Sequence, residues 1–252
     1  MRPAFPFLFR GIRQLFHSPW SLLMGLGTSI FFLVVYQAGM GGIDYLKAFE
    51  GLDYMTFLYP LGLLSLAMGT ASGAGPSLAS DIESGYFQRL FLSPLPRWLF
   101  GFGPILADGL GTLLASLLLL GLGVLFGLSF HFGLSSLLGL LALSSLWGLF
   151  LSGLSGTVML LSRDAGGARA VTSLAFPLVF LTETFLPREM IRSSWLLVVS
   201  RFNPLTPMMR AMRFLLGGMG EARQVILAFA LMVPMALVSV LLACWAAHRL
   251  ES

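Results

Sequence analysis

From Leu99 to Ser162 the chain carries only two ionisable side chains, Asp108 and His131, in a run otherwise made of apolar, glycine and hydroxyl-bearing residues. Such a run cannot face water. Inside a bilayer every backbone amide has to be satisfied within its own segment, which requires helices of about 20 mostly apolar residues. The run is too long for one crossing, so it predicts two antiparallel helices. Leu128-Ser129-Phe130-His131-Phe132-Gly133 would supply the turn between them.

Composition extends this to the whole chain. Of 252 residues, 57% are hydrophobic and 10% charged, and mean hydropathy is +0.88, against about 25% charged residues in an ordinary soluble domain. Charge-poor windows predict six spans, at roughly 20 to 42, 56 to 79, 102 to 127, 135 to 161, 170 to 186 and 224 to 247. The fifth is short and stops before Pro187, so it is either a steep short span or a helix continued in irregular form. The expected fold is an all-α membrane protein forming one domain over 1–252. Its extra-membrane parts are an N-terminal surface helix (1–19), a cytoplasmic loop helix between spans 2 and 3 (81–98), and short re-entrant helices before span 6 (187–220).

In the first segment Phe5, Leu8, Phe9, Ile12, Leu15 and Phe16 recur at helical spacing, with Arg10, Arg13 and His17 on another side. This is the pattern of a helix lying on anionic lipid. A secretory signal is disfavoured, because no small-x-small cleavage site follows within reach.

Basic residues set the expected orientation. With both termini cytoplasmic, Arg2, Arg10, Arg13, Arg89, Arg97, Arg163, Arg169 and Arg249 lie inside. Lys47, Arg188, Arg192, Arg201, Arg210, Arg213 and Arg223 lie outside. Eight against seven decides nothing. If the arginines after Pro187 sit on short helices in the outer leaflet and snorkel to head groups, the count becomes eight against one.

Recognisable chemistry is absent. A phosphate-binding loop needs a lysine followed by Ser or Thr, and the only lysine, Lys47, precedes Ala48. His17, His131 and His248 are too scattered for a metal site, and the single Cys244 excludes an internal disulfide. No catalytic residue and no metal ligand is assigned. Gly153-Leu154-Ser155-Gly156 resembles the nucleophile motif of rhomboid intramembrane proteases. The only histidine after Ser155 is His248, at a span end, so the serine lacks a base. Glycine pairs such as Gly69 with Gly73 and Gly123 with Gly127 predict close helix packing. Asp108 and Glu183 are the carboxylates nearest to lipid. Both fall near breaking sequences, Gly101-Phe-Gly-Pro104 and Pro187, so an interfacial structural role is favoured over contact with a substrate.

The stretch from Asp81 to Asp108 is charged and proline-broken between two apolar runs. Asp81, Glu83, Ser84 and Gly85 precede Tyr86-Phe87-Gln88-Arg89-Leu90-Phe91-Leu92, and Ser93-Pro94-Leu95-Pro96-Arg97 ends the helix. An amphipathic helix with aromatic and leucine side chains to spare fits a groove on another protein, or else lies on the lipid surface. Here the chain resembles the membrane subunits of ABC-2 type exporters, especially those of the daunorubicin-resistance kind. Asp81, Ser84, Gly85, Arg89, Pro94, Arg97, Ala107 and Asp108 match their loop in order. Phe176-Pro177-Leu178, Pro187, Asn203-Pro204-Leu205-Thr206-Pro207 and Ala211-Met212-Arg213 match a second motif. The departures are Glu183, where such subunits usually carry a small uncharged residue, and the many arginines after Pro187.

The resemblance implies a permease subunit of an ATP-driven exporter in the bacterial inner membrane, moving a hydrophobic or amphipathic substrate such as a drug, lipid or glycolipid. It would work as a homodimer, or a heterodimer with a similar permease, above a separate ABC ATPase that holds ATP and Mg. The chain itself would bind no cofactor and no nucleic acid. Contact with the ATPase would fall on Gly85, Tyr86, Phe87, Arg89, Leu90 and Leu92, with Pro94 and Arg97 fixing the helix exit. Asp108, Glu183, Asn203, Pro204 and Pro207 would line a substrate path or an external gate. The principal alternative is an ATP-independent secondary transporter, which needs broken helices and charges near mid-bilayer in both halves. This sequence does not display either clearly.

Overall fold

The structure, a computed structural model, describes residues 20–40, 53–71, 74–83, 98–128, 130–185 and 188–249. They form helices α1 (Trp20–Met40), α2 (Tyr54–Thr70), α3 (Ala74–Glu83), α4 (Trp98–Leu125), α5 (Leu134–Ser162), α6 (Ala165–Phe180), α7 (Ser194–Phe202), α8 (Leu205–Gly217) and α9 (Arg223–His248). A short 3-10 turn, Arg188–Met190, precedes α7, and no strand occurs among the described residues. The expected N-terminal surface helix lies outside the described residues.

Among the described residues three helices are long and apolar enough to cross a membrane: α4 over Gly101–Leu125, α5 and α9. Gly25–Met40 of α1 and all of α6 are shorter apolar helices. The expected second span, 56 to 79, is divided. Thr70 Oγ1 turns back onto the carbonyls of Leu66 and Ala67 at 3.2 and 3.1 Å, which bends a helix. Pro76 then lacks the N–H that a continuous helix would use, but fits the first turn of a new one. The fifth window takes the irregular form, because α6 ends at Phe180 and residues 181–185 continue without helix. The segment after Pro187 contains two short helices, α7 and α8.

α2 is the centre of the molecule. Tyr54, Phe57, Leu58, Tyr59, Leu61, Leu63, Leu64 and Leu66 are all buried, on every side of the helix. A helix apolar all round belongs in an interior, and α1, α4, α5, α6 and α8 surround this one. Small residues set the spacing. A Cβ on Gly25 would stand 3.0 Å from the Leu66 carbonyl oxygen, and one on Gly101 2.8 Å from that of Ala243. Gly123 packs as expected, under the Tyr59 hydroxyl. Gly127 does not: at φ +92° with open space around it, it ends α4. Gly127 N–H donates to Val124 and Leu128 N–H to Gly123, a pairing that favours glycine at the left-handed position.

The elements sort to two ends. At one, Leu78 and Ala79 of α3 pack with Met159 and Leu160 of α5, Ala168 of α6, and Ala246 and Ala247 of α9. At the other are the start of α2, the α4–α5 turn, residues 181–185 and α8. There His131 N–H donates to the Leu215 and Leu216 carbonyls at the end of α8. Between the ends, α9 turns Ile226, Leu237, Val238 and Leu241 outward, as a lipid-facing helix does.

Candidate functional site

The residues expected to meet a partner, Gly85, Tyr86, Phe87, Arg89, Leu90, Leu92, Pro94 and Arg97, lie outside the described residues. Their anchors are described: α3 leads into the segment and α4 leaves it. α3 is seated tightly, since a Cβ on Gly75 would meet Ser155 Oγ at 2.5 Å and Ala168 Cβ at 2.8 Å. Ser155 itself donates to the Ala168 carbonyl at 3.0 Å and is buried. Its hydroxyl is therefore a packing and tethering group joining α5 to α6, not a nucleophile. α3 is therefore in close contact with both of those helices at Gly75.

A second assembly lies at the opposite end, around Glu183. Ending α6 at Phe180 frees its last carbonyls, which have no helical partners. Asn203 takes two of them. Its Nδ2 donates to Leu178 at 2.6 Å and to Leu181 at 3.4 Å, while its Oδ1 accepts from Leu205 N–H at 2.9 Å. Asn203 thus closes α6 and starts α8 at once. Its extended backbone is the conformation preferred before a proline, here Pro204, and Pro207 occupies the tolerant first turn of α8. The Thr182 and Thr184 hydroxyls, 2.6 Å apart, reach the Val179 carbonyl at 2.6 and 2.5 Å.

These bonds fold 181–185 inward and bury Glu183, which the arginines of α8 then receive. Arg210 Nε donates to Glu183 Oε2 at 2.8 Å and its Nη2 to Oε1, a bidentate ion pair. Arg213, on the same face three residues later, is 3% exposed. Its Nε donates to the Phe57 carbonyl at 3.1 Å. Its Nη2 donates to the carbonyls of Glu183 and Thr184 at 2.6 and 3.1 Å. The guanidinium carbon stands 3.6 Å from the centre of the Phe57 ring. Tyr54 adds a bond from its hydroxyl to the Phe185 carbonyl at 3.3 Å. The irregular segment is thereby held to α8 and α2 by charge, hydrogen bonds and ring stacking.

Two expectations are corrected here. Arg210 and Arg213 do not snorkel outward, because Glu183 and the carbonyls of 183–184 satisfy them inside; Arg192, Arg201 and Arg223 are the exposed ones. Nor does Gly101-Phe-Gly-Pro104 break the chain ahead of Asp108, since α4 runs unbroken from Trp98 to Leu125. The tight contact of Gly101 with α9 holds its first turns, and membrane helices tolerate proline where neighbours support them.

The structure gathers Glu183, Asn203, Pro204 and Pro207 at one corner, but Asp108 elsewhere. Asp108 is buried in the α4–α5 seam, where its Oδ2 accepts from Ser152 Oγ at 2.8 Å. The Thr112 hydroxyl, one turn on from Asp108, pairs with that of Thr70 at 2.7 Å. Thr70 and Phe57 are thirteen residues apart in α2, which places the Thr70–Thr112 pair about 20 Å from Phe57 at 1.5 Å per residue, with Asp108 one turn further away. Sequence reasoning placed Arg213 only in the Ala211-Met212-Arg213 motif, without a role, and missed Arg210, Thr182, Thr184 and Phe57. The available signal was the pair of arginines at i and i+3 in an otherwise apolar helix, downstream of one isolated glutamate. Among the described residues no three His, Cys, Asp or Glu side chains gather as metal ligands.

At the α5–α6 turn Asp164 caps α6. Its carboxylate accepts from Gly166 N–H at 2.8 Å and Gly167 N–H at 2.9 Å, and these bonds hold its pKa below the usual carboxylate range.

The family model for ABC-2 family transporter proteins matches residues 42–245. No curated protein and no solved structure matches the chain.

Proposed function

Because this chain belongs to the ABC-2 family of transporter proteins, we propose that it is the permease subunit of an ATP-driven exporter. The family match, which covers most of the chain, carries this reading. The missing phosphate-binding loop fits it, since an ATP-driven transporter whose membrane chain lacks one needs a separate ATPase partner. ATP and Mg would be held by that partner. In this reading the chain crosses the plasma membrane six times, with α2 and α3 together making the second crossing and both termini in the cytoplasm. It pairs with a second permease copy or a similar subunit and moves a hydrophobic or amphipathic substrate outward.

Energy enters through residues 84–97. Closure of the ATPase pair pushes this segment, and α3 passes the push through Gly75 to Ser155 of α5 and Ala168 of α6. α6 leads in turn to residues 181–185 at the opposite end. There the Glu183–Arg210 pair and the Arg213 clasp hold α8 against α2, so that a shift of α6 loads the outer corner and opens the exit. Asp108, deep in the α4–α5 seam, is a structural group in this scheme, and Glu183 is the gate residue.

The test is Phe87→Asp in the full transporter. The variant is expected to insert normally, while the partner ATPase no longer co-purifies with it and transport is lost. Unchanged co-purification and transport would remove the 84–97 segment from the coupling path.

A further inference from the structure

A polar stripe runs along the seam between α4 and α5. Asp108, Thr112 and Ser116 follow at four-residue spacing on α4, and Ser152, Gly148 and Ser144 run back along α5 at the same spacing. Three contacts set the antiparallel register: Ser152 with Asp108, Gly148 beneath Thr112, and Gly109 beneath Leu149. One turn further along α4, the same register brings Ser116 to Ser144 and Ser145. The turn at 126–133 keeps the two helices adjacent beyond that point.

Several hydroxyls in this structure satisfy themselves on the preceding helical turn, as serine and threonine do in membrane helices. Thr112 Oγ1 donates to the Asp108 carbonyl at 2.9 Å, Ser144 Oγ to the Leu140 carbonyl at 2.9 Å, and Thr157 Oγ1 to the Gly153 carbonyl at 2.7 Å. The Oγ atoms of Ser116 and Ser145 are buried with no protein partner, and Ser116 is wholly buried. Two orphaned hydroxyls that the register brings to the same level of a close-packed seam are unfavourable unless something bonds them.

We propose that one bound water occupies the α4–α5 seam and bridges Ser116 Oγ to Ser145 Oγ. The Ser144 hydroxyl, which donates to its own helix, keeps lone pairs to accept a third bond. This meets the two to four partners that a buried water requires. The bridge carries the polar stripe one turn beyond the Asp108–Ser152 bond and joins the two helices without a direct side-chain contact.

A double-mutant cycle on the full chain in lipid nanodiscs tests this. Ser116→Ala and Ser145→Ala are each expected to lower Tm by about 2 to 4 °C. The double variant should lose less than the sum, because both hydroxyls hold the same water. A rise in Tm for either single variant would show dry, orphaned hydroxyls and overturn the proposal, and strictly additive losses would do the same. A density map of the unmodified protein provides a second arm that does not depend on variants folding. A peak within about 3.2 Å of both Oγ atoms is expected, and an empty seam in a map that shows other buried waters refutes the bridge.

Discussion

Arg213 is the residue on which the outer corner most depends, and its replacement tests the corner's physics. In Arg213→Met the carbonyls of Glu183 and Thr184 lose the donor that reaches them at 2.6 and 3.1 Å. Two orphaned buried acceptors cost about 2 to 6 kcal/mol together. Loss of the guanidinium from the Phe57 ring adds about 2 kcal/mol for a desolvated pair. Phe57 keeps its place within α2, so its carbonyl adds little. Against this, methionine needs no desolvation, which returns several kcal/mol of order-of-magnitude burial cost. The net loss expected is about 3 to 5 kcal/mol, the range for removing one member of a buried charged group. At about 2 to 4 °C per kcal/mol for a chain of this size, Tm falls by roughly 6 to 20 °C. Arg213→Lys keeps the charge, but a single nitrogen cannot serve both Phe57 and the 183–184 carbonyls. It should lose about 1.5 to 3 kcal/mol, one charged hydrogen bond. Thermal unfolding of the purified protein in detergent should therefore rank Met below Lys below the unmodified chain. A methionine variant as stable as the unmodified chain, or a lysine variant less stable than the methionine one, would refute the clasp.

Two further outcomes follow from single contacts. Gly75→Val should destabilise the chain by about 1 to 3 kcal/mol through overpacking, because the Ser155 and Ala168 atoms it meets at 2.5 and 2.8 Å are not ends of flexible side chains; an unchanged Tm would mean that α3 is not seated as described. The depressed pKa of Asp164 stabilises the folded chain above the unfolded carboxylate pKa of about 3.9, and that contribution fades as pH falls through the lower folded value. Asp164→Asn should therefore show a smaller drop in Tm between pH 7 and pH 3 than the unmodified chain, and an identical drop would contradict the capping assignment.

What could be read from the sequence was whatever depends on runs of side-chain type. α4, α5 and α9 announce themselves because a charge-poor stretch of their length has no alternative to a helix in lipid. The break between α2 and α3 was hidden, since hydropathy treats Thr70 and Pro76 as unremarkable members of a window. It does not register a hydroxyl folding back on Leu66 or a missing N–H. By spacing Gly127 is half of a packing pair for the same reason: spacing reports which residues share a face, not which one carries φ +92°. The corner was least visible. Its ion pair joins residues 27 apart and its clasp joins α8 to a helix 156 residues earlier.

That corner also changes the charge argument for orientation. Counted from sequence alone, eight basic residues lie at one end and seven at the other, and only outward snorkelling of the whole 188–223 group restores an asymmetry. The geometry supplies a narrower reason for part of that group. Arg210 is neutralised by Glu183, and Arg213 is enclosed by carbonyls and a ring, so neither offers a charge to the head groups. Removing these two leaves five, Lys47, Arg188, Arg192, Arg201 and Arg223, against eight. The bias that remains points the same way as the snorkelling account, but it rests partly on interior chemistry. In the proposed orientation Glu183 consequently has two effects at once. It receives α8 in the corner, and it would remove one arginine from the external side, where positive charge is least tolerated. A Glu183→Gln variant should therefore lose the ion pair and weaken the orientation bias together. Cysteine accessibility at the α4–α5 turn, compared between Glu183→Gln and the unmodified chain, would detect a mixed population. A single orientation retained in both would confine Glu183 to its packing role.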